Sequence, residues 1–343
     1  MRNIDLKDFE IRTDLVADIV SNIDNIKPKE EKYQENDISV SSMDIDKNIS
    51  GIINKKEGLY TTIYFDDITD RTNFKNVKNV FIKELKKILE KENIKDNDSC
   101  MVIGLGNEKS TPDALGAKTV QNITITKHIY DLVGSLEQGY RIVSSFIPGV
   151  MGTTGLETSD IVESIVKKSQ PDFIIVIDSL ASDSIDRVTK TIQITNAGIN
   201  PGSGIGNKRK EISKSLYNIP VIAVGVPMVV DAVTIVHGTL NYMLKHFSYN
   251  LKHTQKSDKL IPSSMRNYLK YDKNLSLTLE EKKYFLGAFG NLSDFEKKAL
   301  IFDVLTPIGY NFIVTLKEVD FLIDNLSKLL SEGINNTLHN INE

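Results

Sequence analysis

Three short apolar runs constrain the fold of this chain more than any other feature: Val102-Ile103-Gly104-Leu105, Phe173-Ile174-Ile175-Val176-Ile177 and Val221-Ile222-Ala223-Val224-Gly225. None carries a polar residue at alternate positions, so a strand made from any of them has no face to turn to water. Such strands lie inside a sheet covered on both sides, and the helical patterns over 161–168 and 229–245 are suited to cross over its faces. The expected class is α/β, a mainly parallel sheet flanked by helices.

The flanks differ in pattern. Residues 1–36 are charge-rich, and Lys27-Pro28-Lys29-Glu30-Glu31-Lys32 reads as a solvated linker or helix end. Tyr60-Thr61-Thr62-Ile63-Tyr64-Phe65, with turn signals at Gly51 and Gly58, predicts a small N-terminal β-rich part. From Asn73 the period changes: Val77, Phe81, Leu85, Ile88 and Leu89 form one helical stripe. Helical patterns over 281–288, 293–304 and 319–330 give a helical C-terminal part, about 260–343, behind a core of about 70–250. The 46 acids and 42 bases leave a net charge of −4, which points to no nucleic-acid or membrane-surface partner. No stretch reaches the roughly 18 apolar residues of a membrane span, and the N-terminus lacks the apolar run of a secretion signal. A single cysteine, Cys100, forms no internal disulfide and suits a reducing cytoplasm.

In open α/β sheets, sites collect at the carboxyl ends of strands. The loop over 104–116, Gly-Leu-Gly-Asn-Glu-Lys-Ser-Thr-Pro-Asp-Ala-Leu-Gly, begins at such an end. Lys109 stands where the third glycine of a dinucleotide fingerprint would fall, and no Gly-x-x-x-x-Gly-Lys-Ser/Thr phosphate loop occurs. Asp113 in this loop reads either as a helix N-terminal cap or as a functional acid. Asp178, at the end of its apolar run, reads either as a turn residue or as a group placed on the sheet's functional edge. If the two converge, repulsion raises one apparent pKa; one carboxylate then activates water while the other gives a proton to the leaving group.

A third segment, 195–210, contains Gly202, Gly204 and Gly206 followed by Lys208, Arg209 and Lys210. Its glycines allow close backbone approach and N–H donors for an oxyanion, and the bases suit an acidic substrate side chain; the other reading is a surface loop entering a solvated helix. There is no Gly-x-Ser-x-Gly elbow and no His-Glu-x-x-His pair, and the five histidines show no short metal-ligand spacing. Cys100 precedes a buried strand, where cysteine usually serves as a small hydrophobe. A serine or cysteine triad is therefore disfavoured and a carboxylate mechanism gains modestly by elimination, with no cofactor expected and no metal ligands assigned.

At these loops the sequence resembles the germination proteases of spore-forming bacteria. The resemblance begins in Val102–Asn107 and Thr111-Pro112-Asp113-Ala114-Leu115-Gly116, then continues through Pro148-Gly149-Val150-Met151-Gly152, Gly155-Leu156-Glu157-Thr158-Ser159-Asp160 and Val176-Ile177-Asp178. It runs on through Pro201-Gly202-Ser203-Gly204-Ile205-Gly206-Asn207-Lys208-Arg209-Lys210, Gly225-Val226-Pro227, Val230-Asp231-Ala232-Val233-Thr234 and Val314-Thr315-Leu316-Lys317-Glu318-Val319-Asp320. It implies a homotetrameric endopeptidase of the spore core, made as a zymogen that cuts itself and later degrades small acid-soluble spore proteins. Those substrates coat DNA, so the tie to nucleic acid is indirect. It also implies a fold like that of the hydrogenase-maturation endopeptidases and catalytic roles for Asp113 and Asp178. In the family a propeptide ends just before a Leu after Arg-Thr-Asp; Arg12-Thr13-Asp14-Leu15 implies a propeptide of 1–14, a cut between Asp14 and Leu15, and a peptidase domain of 15–343. Val16 stands where the family commonly has alanine. Two rival readings are a metal-dependent peptidase using the same acids as ligands and a non-catalytic α/β module binding nucleotide or phosphate.

Overall fold

The computed structural model describes residues 13–21, 23, 26–200, 210–252, 277–305 and 312–340. Two compact units divide the chain: a larger one of 12–230 and 315–343, and a smaller one of 1–11 and 231–314.

The larger unit is built on a mixed sheet. Its strands are β1 (Lys29–Glu35), β2 (Ile38–Ile45), β3 (Gly58–Tyr64), β4 (Cys100–Gly104), β5 (Val143–Phe146), β6 (Phe173–Ser182), β7 (Thr191–Thr195) and β8 (Val221–Asp231). They lie in the order β1-β2-β3-β7-β8-β6-β4-β5. The run β8-β6-β4-β5 is parallel, as the apolar runs predict, and β1, β2, β3 and β7 extend it antiparallel. The N-terminal β-rich part is therefore the other half of the same sheet.

Strand alternation explains why the central runs lack polar positions. Ile175 and Ile177 enter one core with Cys100, Val102, Ile222 and Val224, while Ile174 and Val176 enter a second with Met101, Ile103 and Val221. Both faces are dry, so neither tolerates a polar side chain. The first face is covered by helix Arg71–Lys91, which buries Val77, Val80, Phe81, Leu85, Ile88 and Leu89, and by helix Val319–Leu338. Asp70 caps the first of these by accepting from the Asn73 N–H at 2.8 Å. The two helices approach closely where a Cβ at Gly333 would strike the Phe81 ring. Helix Thr158–Ser169 covers the second face with Val162 and Val166.

Four expectations change. The charged run at 27–32 enters strand β1 instead of a linker; β1 is an edge strand, almost wholly exposed, where charged side chains cost nothing and deter pairing with other chains. The run ending at Ile177 continues to Ser182, so Asp178 lies within β6 and pairs with Gly225, the strand persisting because β8 continues beside it to Asp231. The crossover expected from 229 begins at Ala232 for the same reason. The helical C-terminal part is divided as well. Helices Leu279–Leu286 and Asp294–Leu305 belong to the smaller unit, whereas Val319–Leu338 belongs to the larger. Among the described residues no helix is long and apolar enough to cross a membrane.

Candidate active site

Asp178 owes its place to the unequal lengths of neighbouring strands. β4 ends at Gly104, level with Ile177 of β6, while β6 and β8 run on. The first residue beyond β6's pairing with β4 is Asp178, 6% exposed, with its Oδ1 accepting from the Ser179 N–H at 2.9 Å. Alternation gives it the face of Ile174 and Val176. Two residues further on, the β6–β8 register slips between Leu180 and Ala181. A slip of this kind bends a strand and is common beside functional sites.

The loop of Asp113 is fastened to the same point. Leu105 N–H donates to the Ile177 carbonyl at 2.8 Å, one residue before Asp178. Gly106 has φ +100°, and a Cβ there would collide with the Asp113 carbonyl oxygen. A Cβ at Gly116 would stand 2.5 Å from the Ile177 carbonyl oxygen. Glycine is required at both positions, at the first for conformation and space and at the second for space alone. Asp113 ends the 3-10 turn Thr111–Asp113, which packs on β6, and its Oδ2 accepts from the Asn107 N–H at 2.8 Å. The capping role considered for Asp113 is thus directed back into its own loop, and the following helix, Leu115–Val120, has no side-chain cap.

Of the third segment, Gly202, Gly204, Lys208 and Arg209 lie outside the described residues. Its base is described: Ile199 and Ile212 form an antiparallel bridge, with Ile212 in the core on Asp178's face. Lys210 pairs with Asp160 at 2.7 Å, in the first turn of helix Thr158–Ser169, and this carboxylate holds the Lys210 pKa above its ordinary value. Burial would raise the Glu211 pKa, but hydrogen bonds from Lys56, Ser213 and Ser215 outweigh it and hold the carboxyl low. Cys100 is buried in β4, where desolvation pushes its thiol pKa up, the reverse of what a thiolate nucleophile needs. No group of three or more His, Cys, Asp or Glu side chains among the described residues is disposed to hold a metal ion.

The expected cleavage point, Asp14 and Leu15, is docked further along β6. Asp14 N–H donates to the Ala181 carbonyl at 3.0 Å, and Ala181 N–H donates to Asp14 Oδ2 at 2.9 Å. Gln193 of β7 grips both sides of the bond, accepting from Val16 N–H at 3.0 Å and donating to the Asp14 carbonyl at 3.4 Å. Leu15 is fully buried. Ala181 is three residues past Asp178, about 10 Å along a strand. Asp18, in the helical turn that follows, pairs with Arg187 at 2.7 Å; the sequence pattern has no sign of Gln193 or of this pair, because these contacts join positions far apart in the chain.

The fold is that of an α/β protein in which the loop of Asp113 and the strand of Asp178 meet where parallel strands of unequal length part. The germination protease family matches residues 4–343. The germination protease of Oceanobacillus iheyensis is 45% identical over 96% of this chain and 95% of its own. Those of Bacillus licheniformis and Bacillus subtilis are each 42% identical over 98% of this chain, covering 96% and 95% of theirs. The chain belongs to the germination protease family and is a protease of germination. A NiFe hydrogenase maturation protease from Thermococcus kodakarensis is 13% identical, over 42% of this chain and 80% of that one, with a TM-score of 0.26.

Proposed function

We propose that this protein is an endopeptidase in which Asp113 and Asp178 act together on water, and that it is made as a zymogen cutting itself between Asp14 and Leu15. The observation carrying the reading is the glycine-tight junction: Gly106 and Gly116 let the loop of Asp113 close on Ile177, the residue before Asp178. Sharing one proton, the pair supplies a base for water and an acid for the departing amine, roughly 10²–10⁴-fold of acceleration from proton transfer. The substrates in this reading are small acid-soluble spore proteins of the spore core, and the working form is a homotetramer. Lys208 and Arg209 neutralise the acidic residue on the amino side of the cut, and Gly202 and Gly204 give the substrate backbone close approach.

Full-length protein held at mildly acidic pH and high concentration is expected to yield a new N-terminus at Leu15 by mass spectrometry. Asp113→Asn and Asp178→Asn are each expected to stay intact. Processing by both variants would end the paired-acid mechanism, and activity lost to chelator and regained with added metal would move the acids to the role of ligands. A Lys208→Ala, Arg209→Ala double variant that cuts a Glu-containing site as fast as the parent would remove those two bases from the substrate site.

A further inference from the structure

Residues 13–18 are packed into the larger unit. Thr13, Leu15, Val16, Ala17 and Asp18 are all buried, and Asp18 is the hub that holds them. Its Oδ1 pairs with Arg187 Nη1 at 2.7 Å. Its Oδ2 accepts from Thr13 Oγ1 at 2.8 Å, Ser182 Oγ at 2.9 Å and the Asp183 N–H at 3.0 Å. Ser182 is the last residue of the strand of Asp178, and Asp183 follows it directly.

One atom of this hub lies on the far side of the proposed cut. Thr13 Oγ1 donates to Asp18 and also accepts from the Leu15 N–H at 3.2 Å. The Leu15 nitrogen and Asp18 Oδ2 are therefore no further apart than two hydrogen bonds laid end to end. Hydrolysis adds the hydroxyl of water to the Asp14 carbonyl and its proton to the Leu15 nitrogen. Transfer of the acid's proton to the amine then leaves an Asp14 carboxylate and a Leu15 α-ammonium. Thr13 departs with the released peptide, so Asp18 loses a donor as a cation forms beside it. A buried ammonium is costly without a partner, and the Asp18 carboxylate, within two hydrogen-bond lengths, has just lost one.

We propose that Asp18 is the seat of the new chain end, the Leu15 α-ammonium replacing the Thr13 hydroxyl on its carboxylate. This rests on the cut between Asp14 and Leu15 proposed above. The exchange replaces a neutral donor by a cation on the Asp18 carboxylate, which also holds Ser182 at the end of the strand that carries Asp178, coupling the cut to the candidate site. The charged and titratable groups around the seat are Asp18, Asp183, Asp186 and Arg187, with Tyr64, whose ring centroid lies 5.5 Å from the Arg187 guanidinium, and Glu30, which acts on Tyr64.

The test starts from self-processed full-length protein with its terminus mapped. Carbamylation of the Leu15 amine by cyanate is followed by mass spectrometry across pH, because only the neutral amine reacts. Pairing with Asp18 is expected to raise the midpoint of the profile above that of the same terminus in urea, making the amine about tenfold or more slower to react at neutral pH. A midpoint equal to that in urea means the segment has left its groove, and a lowered one means burial without a partner; either overturns the proposal while leaving the cut intact. No terminus at Leu15 overturns both. Asp18→Asn is expected to abolish the rise, and a rise that survives gives the seat to another acid. Should that variant fail to fold, Arg187→Gln is expected to raise the midpoint further by removing the competing guanidinium, and an unmoved midpoint counts against the seat. Product from Thr13→Ala, identical in sequence after the cut, must match the parent.

Discussion

The loop over 104–116 and the segment over 13–18 both pack on β6, one beside Ile177 and the other beyond Asp178, yet they are held by opposite means. The loop is held by missing side chains. Gly106 and Gly116 let backbone meet backbone, and no rearrangement of side chains relieves a collision there. The N-terminal segment is held by polar side-chain ends: Asp14 on Ala181, Gln193 astride Asp14 and Val16, and Asp18 on Arg187, Ser182, Asp183 and Thr13. Steric contacts of the first kind fix the loop of Asp113 without alternatives, whereas bonds of the second kind exchange partners singly. The proposed self-cutting, two-acid peptidase would have use for both.

The sharpest way to break the contrast is Gly106→Ala. A methyl group there meets the Asp113 carbonyl at a left-handed φ of +100°, and the expected loss is about 3–5 kcal/mol in urea unfolding, with peptidase activity abolished. Arg187→Leu comes next. It leaves the buried Asp18 carboxylate without its guanidinium; Arg187 is 22% exposed at its side chain, so the expected cost falls below that of a fully buried pair, at about 2–3 kcal/mol. Hydrogen exchange should then quicken over 13–18 while the amides of 104–116 keep their protection. Equal quickening in both would show that the two are not independently held.

Gln193→Ala removes a donor to the carbonyl of the bond to be cut and an acceptor for the Val16 N–H beyond it and is expected to cost about 1–2 kcal/mol, with faster self-processing because the Asp14–Leu15 linkage leaves Ala181 more readily. Slower processing would instead give Gln193 a part in presenting the bond. The smallest effect belongs to Thr13→Val, about 1 kcal/mol in the full-length chain and none after processing, read as thermal midpoints before and after the cut.

The central strands were legible in the sequence because burial on both faces leaves no other composition possible: Ile174 and Ile175 point to different cores, and both cores are dry. The stripe of Val77, Phe81, Leu85 and Ile88 gave away its helix for the converse reason, having one wet face. Strand β1 was not legible, since a charged edge strand has the composition of a linker and becomes a strand only because β2 offers it a ladder. The extension of β6 past Ile177 was hidden similarly, as Asp178, Ser179 and Ser182 interrupt the apolar run that marked the strand.

What the sequence by itself determined is the identity of the acids, the glycines around them and the Arg-Thr-Asp-Leu stretch, because each is local and its chemistry belongs to its residue types. The tertiary structure alone decided that β4 stops one residue short of Asp178, that Gly106 and Gly116 are the clearance for Asp113's loop, and that Asp18 gathers Thr13, Ser182 and Arg187 at one carboxylate. Strand lengths, close approaches and buried ion pairs depend on which distant segments arrive at one place, and no local pattern records that arrival.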